Sequence, residues 1–74
     1  MRLNDLKPFV DKTVTLRMTD GEVAKVRVHI VDEEYEDLIV DVLETSRPER
    51  YRGHLAASAY TFAATDIASA ELAQ

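Results

Sequence analysis

The 74-residue chain reads as a mainly β protein: a single small barrel of five strands preceded by a short helix. Three observations point there. Val14, Leu16 and Met18 alternate with Thr13, Thr15, Arg17 and Thr19, the period-two pattern of a half-buried strand. Asp20-Gly21 follows at once, a pair suited to a tight hairpin because Gly reaches positive φ without a Cβ clash and Asp hydrogen-bonds its own backbone. Further short apolar runs then recur between polar turns, with no long helical period among them.

Taken in order, Asn4 is a candidate N-cap for a helix over about 4–10, with Asp5 in the first turn and Pro8 close enough to the start to be tolerated. Leu6, Phe9 and Val10 of so short a helix must pack on something else, and an open barrel end is the natural place. Strands are expected at about 13–19, 23–31, 38–44, 57–62 and 67–72, all within one domain, 1–74. The second places Ala24, Val26, Val28 and Ile30 on one face and Lys25, Arg27 and His29 on the other. In the third, Leu38, Ile39, Val40, Val42 and Leu43 make both faces apolar, which a strand covered on one side does not need. Ile39 and Leu43, with Ile67 of the short last strand, are therefore expected at a subunit interface. The segment 45–53 reads as a polar loop, 54–59 is ambiguous between helix and strand, and Ala63-Ala64-Thr65-Asp66 reads as a tight turn.

Composition narrows the functions. Without cysteine there are no disulfides, thiolate metal sites or Cys nucleophiles. A core this small supplies only about 3–5 kcal/mol by itself, so self-association is the expected extra source of buried surface. Fourteen Asp and Glu against nine Lys and Arg give a net charge of −5, which repels phosphates at long range. No apolar run approaches the roughly 20 residues of a membrane span, and no secretory leader is evident, so a cytoplasmic protein without membrane contact is expected. His29 and His54 have no Ser or Cys constellation near them in the chain, so neither enzymatic activity nor a cofactor is expected.

Val14, Leu16, Gly21, Val28, Val31 and Asp32 reproduce without a gap the first signature motif of a known family, and Thr61-Phe62-Ala63-Ala64-Thr65-Asp66-Ile67 fits the frame of its second. On these residues the chain resembles the Sm-like family of small SH3-type β-barrels, over nearly its whole length in pattern. The resemblance implies a short helix, five strands, assembly into a ring, and RNA binding by an Asn and an Arg-Gly pair. Those letters are changed here. Val26 stands where the family bends its second strand at a Gly, Asp37 at the place of the RNA-binding Asn, and Ala63 and Ala64 at the Arg-Gly pair. An ionised Asp accepts but cannot donate to a uracil edge, and Glu33, Glu34 and Glu36 add negative charge beside it.

Tyr35 remains as a stacking surface next to Asp37, and Arg47, Arg50 and Arg52 with the interleaved Tyr51 form, together with Lys25 and Arg27, the remaining basic group for RNA or a partner. Both sets also have plain readings. Asp32 to Asp37 suits a solvated hairpin loop and lacks the spacing of a calcium loop, and Arg and Tyr are as common at protein interfaces as on RNA. The expectation is a non-catalytic homo-oligomeric interaction module. An RNA-binding ring using the arginine loop and a monomeric SH3-like peptide-binding module are the alternatives.

Overall fold

A computed structural model describes residues 1–51 and 60–73. Five antiparallel strands, β1 (Thr13–Met18), β2 (Val23–Asp32), β3 (Asp37–Thr45), β4 (Tyr60–Ala63) and β5 (Ile67–Leu72), form one sheet in the order β4-β3-β2-β1-β5. The mainly β architecture with a short N-terminal helix is thus as the sequence predicts. Residues 57–59 of the expected fourth strand lie outside the described residues. Among the described residues, no helix is long and apolar enough to cross a membrane.

Every strand contributes apolar residues to one common side. Val14, Leu16 and Met18 of β1, Ala24, Val26 and Val28 of β2, Leu38, Val40 and Val42 of β3, Phe62 of β4 and Ile67 of β5 share one buried cluster with Leu6, Tyr51 and Ala64. With no second sheet among the described residues to cover that face, the sheet curls so that its own inner surface packs against itself.

The bend comes from breaks in the strand register. Val28 faces Val40 and Ile30 faces Ile39, which leaves His29 as an extra residue on β2. Lys25 faces Glu44 and Val26 faces Val42, which leaves Leu43 extra on β3. A bulge adds local twist and bends its strand, so these two do the work expected of a glycine at the Val26 position. They also reassign faces. The alternation predicts Ile30 inside, but after His29 the phase flips: Ile30 lies half exposed beside Ile39, and Val31 turns to the core instead.

The helix is shorter and earlier than 4–10. It covers Leu3–Leu6 with Arg2 as N-cap, Asn4 lies inside it, and a 3₁₀ turn over Lys7–Phe9 continues it. Pro8 explains the change of type, because it carries no N–H for an α-helical bond. Asp11, at φ +66°, then reverses the chain and donates its N–H to the Val28 carbonyl at 2.8 Å. Leu6 is fully buried. Between β4 and β5 the expected tight turn is a 3₁₀ turn over Ala64–Asp66, and β4 itself runs on to Ala63. The Met1 ammonium donates to the carbonyls of Ala64 and Ile67, which fixes the chain start to this turn.

Truncating Leu6 to Ala removes the side chain by which the helix enters the core. Leu6→Ala should lower stability by about 2–4 kcal/mol, read from the midpoint of urea unfolding followed by circular dichroism; a change below a few tenths would mean that the helix is a dispensable appendage.

Candidate functional site

The β1–β2 turn spans Thr19, Asp20 and Gly21, closed by the Met18 N–H donating to the Glu22 carbonyl at 2.8 Å. Gly21 sits at φ +97°, a conformation that strains any other residue, while Asp20 Oδ1 accepts the Glu22 N–H at 3.0 Å. Glu22 therefore enters β2 on the face of Ala24, Val26 and Val28, and its side chain is completely buried.

A buried carboxylate needs donors, and three residues supply them. Thr45 Oγ1 donates to Oε2 at 2.5 Å, Tyr51 Oη donates to the same oxygen at 2.6 Å, and Arg50 Nη1 donates to Oε1 at 3.0 Å. Arg50 also pairs with Asp20 Oδ2 at 2.6 Å. Thr45 in turn accepts the Arg47 N–H at 3.0 Å, and Arg47 Nη2 donates to the Asp20 carbonyl at 3.1 Å. Pro48 opens the 3₁₀ turn Pro48–Tyr51 that brings Arg50 and Tyr51 round to this point.

The charges respond accordingly. The Glu22 N–H and then the Arg50 guanidinium hold the Asp20 carboxyl below its ordinary value, and the hydrogen bond to Asp20 raises Arg50. Burial, followed by the bond to Glu22, pushes the Tyr51 hydroxyl well above the normal tyrosine range.

The residues expected at RNA or a partner are placed very differently by this network. Arg47 and Arg50 face the hairpin, and Tyr51 is only 1% exposed, packed edge-on against Tyr60 with ring centroids 4.8 Å apart. Arg52 lies outside the described residues. Lys25 and Arg27 stand on the outer face of the sheet, opposite Glu44 and Asp41. His29, the bulge residue, shares a hydrogen bond of 2.7 Å with Asp41. Ile67, expected at an interface, is buried in the protomer's own core, because Met18 pairs with Ile67 past a bulge at Ala68 and so turns it inward. Ile39 is half-buried and Leu43 exposed on the outer face.

The acidic loop is a built turn. Asp32 pairs with Asp37, and Asp32 Oδ1 accepts the N–H groups of Glu34 at 2.9 Å and Tyr35 at 3.3 Å. Tyr35 projects from its tip with 72% of its surface exposed. Asp37 lies opposite Ala63, and the Ala64 N–H donates to the Glu36 carbonyl at 3.0 Å. The two turns that carry the altered signature letters are therefore neighbours, with a carboxylate and a methyl where the resemblance implies an amide and a guanidinium. Among the described residues no group of three or more His, Asp or Glu is arranged to hold a metal ion.

Glu22 is the residue that the sequence reading passes over. Its signal was the alternation itself: Glu22 lies two residues before Ala24, and extending the inward face back across the turn predicts a buried acid.

A half-enclosed cavity of about 270 Å³ lies beside the network, between Met18–Glu22 and β4. Tyr51, Tyr60 and Phe62 wall it, and Asp20, Asp66 and Arg50 stand around it.

Replacing Glu22 by Ala leaves the Tyr51 hydroxyl and Thr45 without their acceptor. Glu22→Ala should cost about 2–4 kcal/mol and Tyr51→Phe about 1–2 kcal/mol in urea titrations; neutral outcomes would show the network to be decorative. The depressed Asp20 has a definite sign in acid. The unfolded chain takes up the proton first, so this contribution is present above the ordinary carboxylate value near 3.8 and is lost as pH falls through the lower folded value. Asp20→Asn should flatten the acid limb of stability against pH relative to the parent, and parallel curves would refute the pairing.

No protein-family model matches the chain, and no curated protein matches it.

Proposed function

We propose that the chain is a non-catalytic, cytoplasmic interaction module: an Sm-like, SH3-type barrel that assembles with copies of itself through its strand edges. The observation that carries this reading is the pair of open edges. Among the described residues β4 pairs only with β3, and β5 only with β1, so each presents one row of backbone donors and acceptors to the outside. Such edges invite pairing unless they are blocked. Neither edge strand carries Pro or Lys, and β5 ends in Leu72, with over half of its surface exposed. Next to the other edge, Thr61, Ile39 and Ile30 lie side by side across β4, β3 and β2, an outer-face row in which Ile30 is half exposed and Ile39 half-buried.

The engagement of Arg47 and Arg50 by Asp20 and Glu22 counts against RNA binding through that loop, since releasing them would expose a buried carboxylate without its donor. The pairing of His29 with Asp41 on the open sheet surface gives that histidine a structural partner.

Light scattering coupled to size-exclusion chromatography should show a multimer whose mass does not change over a wide concentration range. Leu72→Lys and Ile39→Lys should each reduce that mass while preserving the β-sheet dichroism. A monomer at every concentration overturns the assembly, and an unchanged mass in both variants removes these residues from its interface.

A further inference from the structure

The open edge of β4 has a definite polarity. The Ala64 N–H donates to the Glu36 carbonyl at 3.0 Å, in line with the register that sets Leu38 against Phe62 and Val40 against Tyr60. Antiparallel ladders alternate bonded and unbonded pairs, so Tyr60 and Phe62 bond β3, while Thr61 and Ala63 turn their N–H and C=O groups outward. Both of these residues are exposed, with their side chains on the outer face beside Ile39 and Asp37. The half-enclosed space of about 270 Å³ is lined by all four residues of β4, and no other described strand pairs there.

The β5 edge has the opposite polarity. The Ala73 N–H donates to the Thr13 carbonyl at 2.9 Å, so Ser69 and Glu71 bond β1. The outward groups of β5 then belong to Ala70 and Leu72, which lie opposite the buried Leu16 and Val14 on the inner face. Residues bonded across an antiparallel ladder share a face. Joining β4 to β5 of a second copy in this way would run an outer face into an inner one, and either register that bonds Thr61 would set Glu71 against Phe62 or Tyr60. Joining β4 to β4 keeps each face continuous and places no charge at the contact.

We propose that β4 pairs antiparallel with β4 of a second copy about a twofold axis at Thr61. This contact rests on the self-association proposed above and specifies its geometry at one edge. Thr61 exchanges both backbone hydrogen bonds with its own counterpart, as an isologous contact requires. Tyr60 of each copy stands opposite Phe62 of the other on the inner face. Threonine pairs and aromatic pairs are both favourable cross-strand neighbours. On the outer face, the row of Ile30, Ile39 and Thr61 meets its own continuation across the axis. A shift that set Thr61 opposite Ala63 would instead direct each row towards Asp37 of the other copy. The axis at Thr61 also sends the two acidic hairpin loops to opposite ends, which limits repulsion between chains of net charge −5. The β5 edge, with its bare Leu72, remains for the other contact of the multimer.

The chain holds no cysteine, so single cysteines report the contact directly. Bonded antiparallel partners have Cα atoms about 5.5 Å apart, inside the roughly 4.4–6.8 Å that a disulfide spans. Thr61→Cys in the full chain, oxidised with copper–phenanthroline and run on a non-reducing gel, should convert most of the protein to a covalent dimer. Ala63→Cys on the same strand and Ser69→Cys on β5 should each give about fivefold less dimer or lower still. Thr61→Arg sets two like charges on the axis and should lower the mass of the multimer in light scattering while the sheet dichroism is preserved. The twofold contact is overturned if Thr61→Cys links no better than Ala63→Cys or Ser69→Cys, or if Thr61→Arg keeps the parental mass. A multimer that fails these tests refutes this contact and leaves self-association standing, whereas a monomeric parent refutes both.

Discussion

The burial of one carboxylate organises this end of the molecule. Glu22 sits where the first hairpin enters the core, and its two oxygens accept from Thr45, Arg50 and Tyr51, which lie well over twenty residues further along the chain. Each donor fixes a different piece of backbone: the end of β3, the 3₁₀ turn that follows it, and the aromatic cluster that the turn carries. Removing a buried carboxylate from its donors is costly in a way that breaking a surface ion pair is not. The polar segment after β3 is thereby tied to a defined course although its sequence holds few apolar anchors besides Tyr51. Arg47 and Arg50 are consumed in the same operation. A loop that looks basic in sequence becomes, in space, the neutralising half of an acidic hairpin.

Much of the fold can be read from period-two patterns, because a strand with one buried face leaves that record directly. β1 shows it, and so do the inward rows of β2 and β3. The patterns fail where an extra residue shifts the phase. Nothing about His29 or Leu43 marks them as bulges; they are set by how far two strands must curl to bury a common face, which is a property of the whole sheet. Once the shifts are known, the anomalies resolve. Ile30 falls outside, Val31 inside, and Thr45 comes round to the same face as Ala24, within reach of Glu22. Ile67 was expected at an interface because the last strand is short and its Ala68-Ser69-Ala70 gives little alternation to judge by. The helix start was misplaced because Asn4 is a good capping residue in general, while here packing of Leu3 and Leu6 on the core decides where the helix begins.

The candidate site was legible only in part. Tyr35 and Asp37 could be placed on one hairpin loop, and the arginines on one segment, from sequence alone. Their partners could not, since the contact between Asp20 and Arg50 joins segments thirty residues apart. The same limitation hid the aromatic cluster: Tyr60 and Phe62 are alternate residues of β4, but Tyr51 reaches them only through the 3₁₀ turn that Glu22 holds. The outer face tells a complementary story. Its charged residues face one another in cross-strand rows, Arg27 with Asp41 and Lys25 with Glu44, whereas Ile30 and Ile39 lie towards β4 and Leu43 stands apart beside Glu44. A surface divided in this way keeps its edges and its ladders chemically distinct.

The reach of the Glu22 bonds also sets an order of events. They cannot form until β2 and β3 have paired and the turn beyond them has closed, so they arrive late in folding, after the local hairpins have brought their strands together. Interactions made after the rate-limiting step contribute to the barrier against unfolding and leave the speed of folding nearly untouched. The carboxylate knot is in that sense a latch: it has little part in finding the native sheet and a large one in keeping it shut.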